Sequence, residues 1–190
     1  MRKIVYLFLL MLLCTHPGKA QLLKPGSVSA EFSDNLNKIV LAFRTNFHQI
    51  QGDALPPEAE TDVYRSNVSL PGSIQTFIYR FHSVIDTTAS WQALMFQGDN
   101  YTDALKAYKN TSRLLNKSRL MFPGKSPVGF SGKLNEPDVN VAFANSSFKL
   151  DIDDPAYVRF YAEIEMVNTG FDSWEVHLNL HNKKADTEKY

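Results

Sequence analysis

The sequence predicts an α+β fold, with two helices packed on a strongly bent, mainly antiparallel sheet of about six or seven strands. Three observations lead there. The stretch Val158–Asn182, VRFYAEIEMVNTGFDSWEVHLNLHN, alternates apolar and polar residues on both sides of a short turn. Two other stretches carry apolar residues at helical spacing. Between these elements, Pro, Gly, Asn and Asp cluster where the chain must turn.

The C-terminal hairpin is the clearest element. Val158, Phe160, Ala162, Ile164 and Met166 fall on one face, and Arg159, Tyr161, Glu163 and Glu165 on the other. A strand reverses each successive side chain, so the period is two. In the second run Trp174, Val176, Leu178 and Leu180 alternate with Glu175, His177, Asn179 and His181. Asn168, Thr169, Gly170 and Asp172 suit the connection. One dry and one wet face imply antiparallel pairing, since purely parallel sheets are covered on both sides. A one-residue slip would expose every apolar side chain, so the register should be firm.

The first helix is expected from the stripe Phe32, Leu36, Ile39, Val40, Phe43, Phe47 and Ile50, with Ser29 or Ser33 as its cap and Gly52 as its stop. His48 would then be a cation near its C-terminus. The second helix is expected in YTDALKAYKNTSRLLNKSRL. Tyr101, Leu105, Tyr108, Ser112 and Leu115 form its stripe, and Asp99 or Asn100 its cap. Asp103 lies early, while Lys106, Lys109, Arg113, Lys117 and Arg119 come later, as the helix dipole favours. Those basic residues read as a solvated face rather than a phosphate site.

Residues 53–73 hold at most a short strand, VYRSNVSL, before the strong turn signal Pro71-Gly72. IQTFIYRFHSVI alternates, with Asp86-Thr87-Thr88 as the turn into a returning strand over Ser90–Phe96. That strand has apolar residues on both faces, so it should be central or covered by a helix. Prolines and glycines from Pro123 to Pro137 exclude a long helix, and Val128–Leu134 suits a short or an edge strand. Asn140–Ala144 and Phe148–Ile152 are expected to pair as a short hairpin around Asn145-Ser146-Ser147. Both halves of the chain loosely read helix then meander.

The front of the chain bears on location. Arg2 and Lys3 precede an apolar core from Ile4 to Cys14, and Gly18-Lys19-Ala20 offers small residues for cleavage. Residues 1–20 are therefore expected to be a secretory signal peptide, cut after Ala20. The apolar run falls short of the roughly 20 residues of a spanning helix, so no stable membrane insertion is expected after cleavage. A lipoprotein at Cys14 is disfavoured by the bulky Leu13 before it. Residues 21–30 should be a flexible mature N-terminus, 31–182 a single α+β domain, and 183–190 a flexible C-terminal tail. The expected location is secreted or periplasmic.

Cys14 is the only cysteine, so the mature chain can form no disulfide within itself and no thiolate site. About 170 residues can hold themselves by a core. The chain has 20 basic and 20 acidic residues, and removal of Arg2, Lys3 and Lys19 leaves 17 basic ones. This near-neutral balance argues against nucleic acid as a partner. Asn67, Asn100, Asn110, Asn116 and Asn145 each begin an N-x-Ser/Thr triplet, an acceptor only in a glycosylating pathway.

Catalytic motifs are missing. There is no H-E-x-x-H, G-x-S-x-G or G-x-G-x-x-G. Gly124-Lys125-Ser126 lacks the glycine-rich run of a phosphate loop, and Asp151, Asp153 and Asp154 do not follow the EF-hand spacing. The reading is a non-enzymatic binding protein with an unknown protein, peptide or glycan partner, no cofactor and no assigned metal. Arg159, Tyr161 and His177 on the wet face are the candidate ligand-binding residues. The alternative is an envelope hydrolase or metal-assisted enzyme using Glu175, His177, Asn179 and His181 beside Glu163 and Glu165.

Overall fold

The computed structural model describes residues 28–57, 61–81, 89–138, 140–170 and 173–183. The signal-like segment with Cys14, the turn expected at Asp86–Thr88, His82, Asp172 and the tail expected beyond Lys183 lie outside the described residues.

Helix α1 (Ala30–Ala42) begins where Ser29 Oγ accepts from the Phe32 amide at 3.1 Å. It ends ten residues before Gly52. The chain tightens into a 3-10 turn at Phe43–Thr45, and then Asn46 and Phe47 take left-handed φ values of 54° and 60°. The Phe47 amide still reaches back to the Ala42 carbonyl at 2.8 Å. A left-handed phenylalanine is costly. Its ring is fully buried and meets Phe43 at 5.9 Å between centroids, and this packing holds the bend. Phe47 and Ile50 thus reach the core by a reversal of the chain rather than by a longer helix. His48 starts a second 3-10 turn, His48–Ile50, and not a helix end.

Four strands follow: β1 (Gln51–Ala54), β2 (Thr61–Ser66), β3 (Gln75–Phe81) and β4 (Ala89–Gly98). The turn at Pro71-Gly72 precedes β3, with Gly72 at φ 88° and the Ser73 amide donating to the Leu70 carbonyl at 3.0 Å. Helix α2 (Tyr101–Lys117) is capped by Asn100, whose Oδ1 accepts from the Asp103 amide at 3.1 Å. Its buried stripe is Ala104, Tyr108, Thr111, Ser112 and Leu115. Four more strands complete the chain: β5 (Phe130–Gly132), β6 (Phe143–Leu150), β7 (Phe160–Gly170) and β8 (Ser173–Asn182).

All eight strands form one open antiparallel sheet in the order β1-β2-β3-β4-β8-β7-β6-β5. Each half of the chain is a helix and a four-strand meander, and the halves meet along β4 and β8. The expected α+β architecture is present, with eight strands rather than six or seven. The additional strand is β1, a four-residue segment, QGDA, with no apolar alternation to announce it.

Two strand expectations are corrected. Residues 143–150 are one continuous strand, not the two arms of a hairpin about Asn145-Ser146-Ser147. Ser146 points inward, where its hydroxyl meets the Tyr108 hydroxyl at 2.5 Å and accepts from the Asn135 amide at 2.8 Å. A polar residue is tolerated in the core when so satisfied. At the edge, Gly132 allows β5 to approach β6 closely, since a Cβ there would lie 2.5 Å from the Ser147 carbonyl oxygen. Val158 is not on the dry face: it is 61% exposed in the turn after the 3-10 segment Pro155–Tyr157. Tyr157 is buried in its place.

From Phe160 onward the hairpin has the expected faces. Phe160, Ala162, Ile164 and Met166 are fully buried, as are Val176, Leu178 and Leu180. Ala162 pairs with Leu180, Ile164 with Leu178 and Met166 with Val176. These residues belong to one hydrophobic cluster with Phe32, Leu36 and Ile39 of α1, Tyr108 and Leu115 of α2, and Trp91 of β4. At about 25 cal/mol per Å² of apolar surface, burial on this scale is the main term favouring folding. No described helix is long and apolar enough to cross a membrane.

Candidate ligand-binding groove on the open sheet face

The face of the sheet away from the core carries two chemistries. On β3 and β4 it presents Phe77, Tyr79 and Phe81 beside Ser90, Gln92 and Leu94. On β7 and β8 it presents Tyr161, Glu163 and Glu165 beside His177, Asn179 and His181. The register that joins them is Gln92 opposite Asn179 and Leu94 opposite His177, with Glu163 opposite Asn179 and Glu165 opposite His177 on the other side. β4 is central, as its two apolar faces suggested. A break in register between Leu94 and Phe96 returns Phe96 to the core-facing side, the local bend expected of a bulge.

A groove of about 410 Å³ lies across this junction. One wall is Tyr79 and Phe81. The other is Glu163, Glu165, Asn179 and His181, with Ser90 and Gln92 between them. Gln92 Nε2 donates to Asn179 Oδ1 at 2.8 Å and ties the two halves together in the groove.

Glu163 is the electrostatic centre. It is only 8% exposed, and burial of a lone carboxylate would be costly. Here His181 Nε2 lies 3.1 Å from Oε2, and Lys183 Nζ lies 3.1 Å from Oε1. The Ser147 hydroxyl donates to Oε1 in a short hydrogen bond. The His181 hydrogen bond, reinforced by Ser147 and Lys183, outweighs burial and holds the Glu163 carboxyl well below the usual carboxylate range. Glu163 is therefore ionised at neutral pH.

This arrangement is not a nucleophilic relay. In such a relay the serine bonds to the histidine and the acid orients the histidine. Here Ser147 and His181 each bond to Glu163, and Glu163 is the hub. His177 is held apart from it: its Nε2 lies 2.9 Å from Glu175 Oε2, while Glu175 Oε1 accepts from Gln97 Nε2 at 3.0 Å. The two imidazoles thus turn to different carboxylates. Among the described residues no group of three or more His, Cys, Asp or Glu side chains is placed to hold a metal ion.

The three candidate residues read from the sequence border the groove without lining it. Tyr161 is half-buried, opposite His181, with Lys183 Nζ 5.4 Å from its ring centroid. His177 shares the face but engages Glu175. Arg159 is exposed in the turn before β7, and its carbonyl accepts from the Lys183 amide at 2.8 Å. Tyr79, Phe81, Ser90 and Gln92 were not singled out as site residues. Alternation in β3 marks Tyr79 and Phe81 as sharing a face, but no local signal pairs β4 with a strand 87 residues further on.

No protein-family model, curated protein or solved structure matches the chain.

Proposed function

We propose that the protein is an exported, non-enzymatic binding protein, secreted or periplasmic, whose ligand sits in the groove between β3–β4 and β7–β8. The observation that carries this reading is the groove's composition. An aromatic wall faces a wall of amide, carboxylate and imidazole groups, the mixture with which pockets bind and orient small organic ligands. The export part rests on the signal-like residues 1–20.

The hydrolase alternative has one attraction. Glu163 and Glu165 project from the same face two residues apart, about 6.7 Å along a strand, near the separation used in inverting glycoside hydrolysis. Such chemistry needs one carboxyl held protonated and one carboxylate able to activate water. Glu163 meets neither need, because it is held ionised and both of its oxygens are engaged by protein groups. This weighs in favour of the binding reading.

A thermal-shift and calorimetric screen of saccharides, short peptides and small amines against the mature chain tests it. The double variant Gln92→Leu/Asn179→Leu should lose the hit by about tenfold or more, equivalent to one or more good hydrogen bonds. The triple variant Arg159→Ala/Tyr161→Ala/His177→Ala should bind within a few-fold of wild type. The reverse pattern would move the site to the start of β7. Recovery of an uncleaved chain from the cytoplasm of its native cell would remove the export part.

A further inference from the structure

Resting on the groove reading above, we infer that the ligand is a neutral, hydroxyl-rich ring: a sugar unit, taken as a monosaccharide or as one residue of a glycan. Three features select this class.

The first is the aromatic wall. Phe81 is 46% exposed, a large apolar area to leave in water. With Tyr79 two residues earlier on the same face, it offers a platform of rings. The C–H face of a pyranose stacks on such rings, because its apolar hydrogens meet their electron-rich faces.

The second is the hydrogen-bonding pattern left over. The Gln92–Asn179 bond uses one donor and one acceptor. It leaves the Gln92 carbonyl oxygen and the Asn179 amide hydrogens directed to no other described group. An acceptor and a donor side by side match a hydroxyl, which both donates and accepts. An ammonium only donates, and would leave the Asn179 hydrogens unmet.

The third is the sign of the charge. Glu163 is already matched by His181 and Lys183. Glu165 lines the groove and makes no hydrogen bond or ion pair with another described residue. A half-buried carboxylate in this state accepts O–H bonds from neighbouring hydroxyls, and these are charge-assisted. It repels a carboxylate or phosphate on the ligand. The groove therefore selects against uronic acids and sugar phosphates.

The experiment titrates the mature chain with glucose, galactose, mannose, N-acetylglucosamine and their short oligomers. Glucuronate, galacturonate and glucosamine are run alongside, with calorimetry and amide chemical shifts as readouts. At least one neutral member should bind, and its uronate counterpart should bind about tenfold more weakly. Phe81→Ala and Gln92→Leu should each weaken the neutral ligand by about tenfold with an unchanged amide spectrum elsewhere. Glu165→Gln keeps the shape and removes the charge, so it should erase most of the discrimination against the uronate. Failure of every neutral saccharide to bind overturns the inference. Preference for an amine or peptide that is lost in Gln92→Leu also overturns it, but leaves the groove as the binding site. If no compound of the wider screen distinguishes wild type from Gln92→Leu/Asn179→Leu, both readings fall.

Discussion

The two halves of the chain, residues 30–98 and 101–182, build the same unit and finish it differently. In each, a helix precedes a four-strand meander, and a core aromatic has its polar tip satisfied by a serine. Trp91 Nε1 donates to Ser66 Oγ at 2.9 Å in the first half, and the Tyr108 hydroxyl meets Ser146 Oγ at 2.5 Å in the second. The open faces then diverge. The first half presents Phe77, Tyr79 and Phe81, and sends its fastening charge, Arg80, to the helix side. There Arg80 NH2 donates to Gln51 Oε1 and to the Asn46 carbonyl, both at 2.8 Å. The second half places its fastening charge, Glu163, on the open face. Like topology therefore does not dictate like surfaces, and the groove arises where the two unlike surfaces adjoin.

The comparison is broken most severely at the seam. Leu178 is fully buried opposite Ala93 on β4 and Ile164 on β7. Leu178→Ala should cost about 2–5 kcal/mol, whereas Asn179→Ser, one residue on and facing the groove, should cost about 0.5 kcal/mol. Urea titrations of both variants check the face assignment, and equal small losses would contradict it. If the halves are one cooperative unit, fluorescence and circular dichroism midpoints should still coincide in Leu178→Ala.

Arg80→Met tests the fastening of the first half. It removes the bonds to Gln51 and Asn46 and the stacking over Tyr64, whose ring centroid lies 5.9 Å from the guanidinium carbon. A loss of about 1–3 kcal/mol is expected, with hydrogen exchange rising first in β1 and in the turn at Asn46. Uniform exchange across all eight strands would mean that Arg80 has no local role.

Of the two fastening charges, Glu163 is expected to give the smaller effect at neutral pH, about 1 kcal/mol for Glu163→Gln, and its signature is pH dependence. The folded carboxyl titrates below its ordinary 4.5. The stability it contributes is thus fully present above the unfolded value and is lost as pH falls toward the folded value. The wild-type urea midpoint should drop through this acid range more steeply than that of Glu163→Gln. Parallel curves would assign the acid sensitivity to other carboxylates.

How far the sequence announced these features depended on the range of the interactions behind them. The β7–β8 hairpin was legible from Phe160 onward because alternation is a local signal and both strands have a dry face. Helix α2 was legible from Asn100 and the stripe through Tyr108. Ser146 looked like a turn residue because its partners, Tyr108 and Asn135, are not sequence neighbours. The end of α1 was hidden for a related reason: Phe47 keeps the helical spacing, yet it reaches the core through a left-handed bend. The groove was the least legible part. His177 and His181 alternate identically along β8, and only the placement of Glu163, Lys183 and β4 separates their roles.

The strand order also dictates when the molecule can finish folding as it is made. β8 is the last of the described strands and sits between β4 and β7. Until its ten residues are available, both neighbours present unpaired edges bordering apolar side chains such as Trp91, Ile164 and Met166. Insertion of β8 closes a loop whose ends, Gln92 and Asn179, are 87 residues apart, at an entropic cost of roughly 4 kcal/mol. A chain that stalls or is clipped before Ser173 would carry two sticky edges at once. Such a chain should be prone to aggregate, while one that includes β8 covers both edges with it.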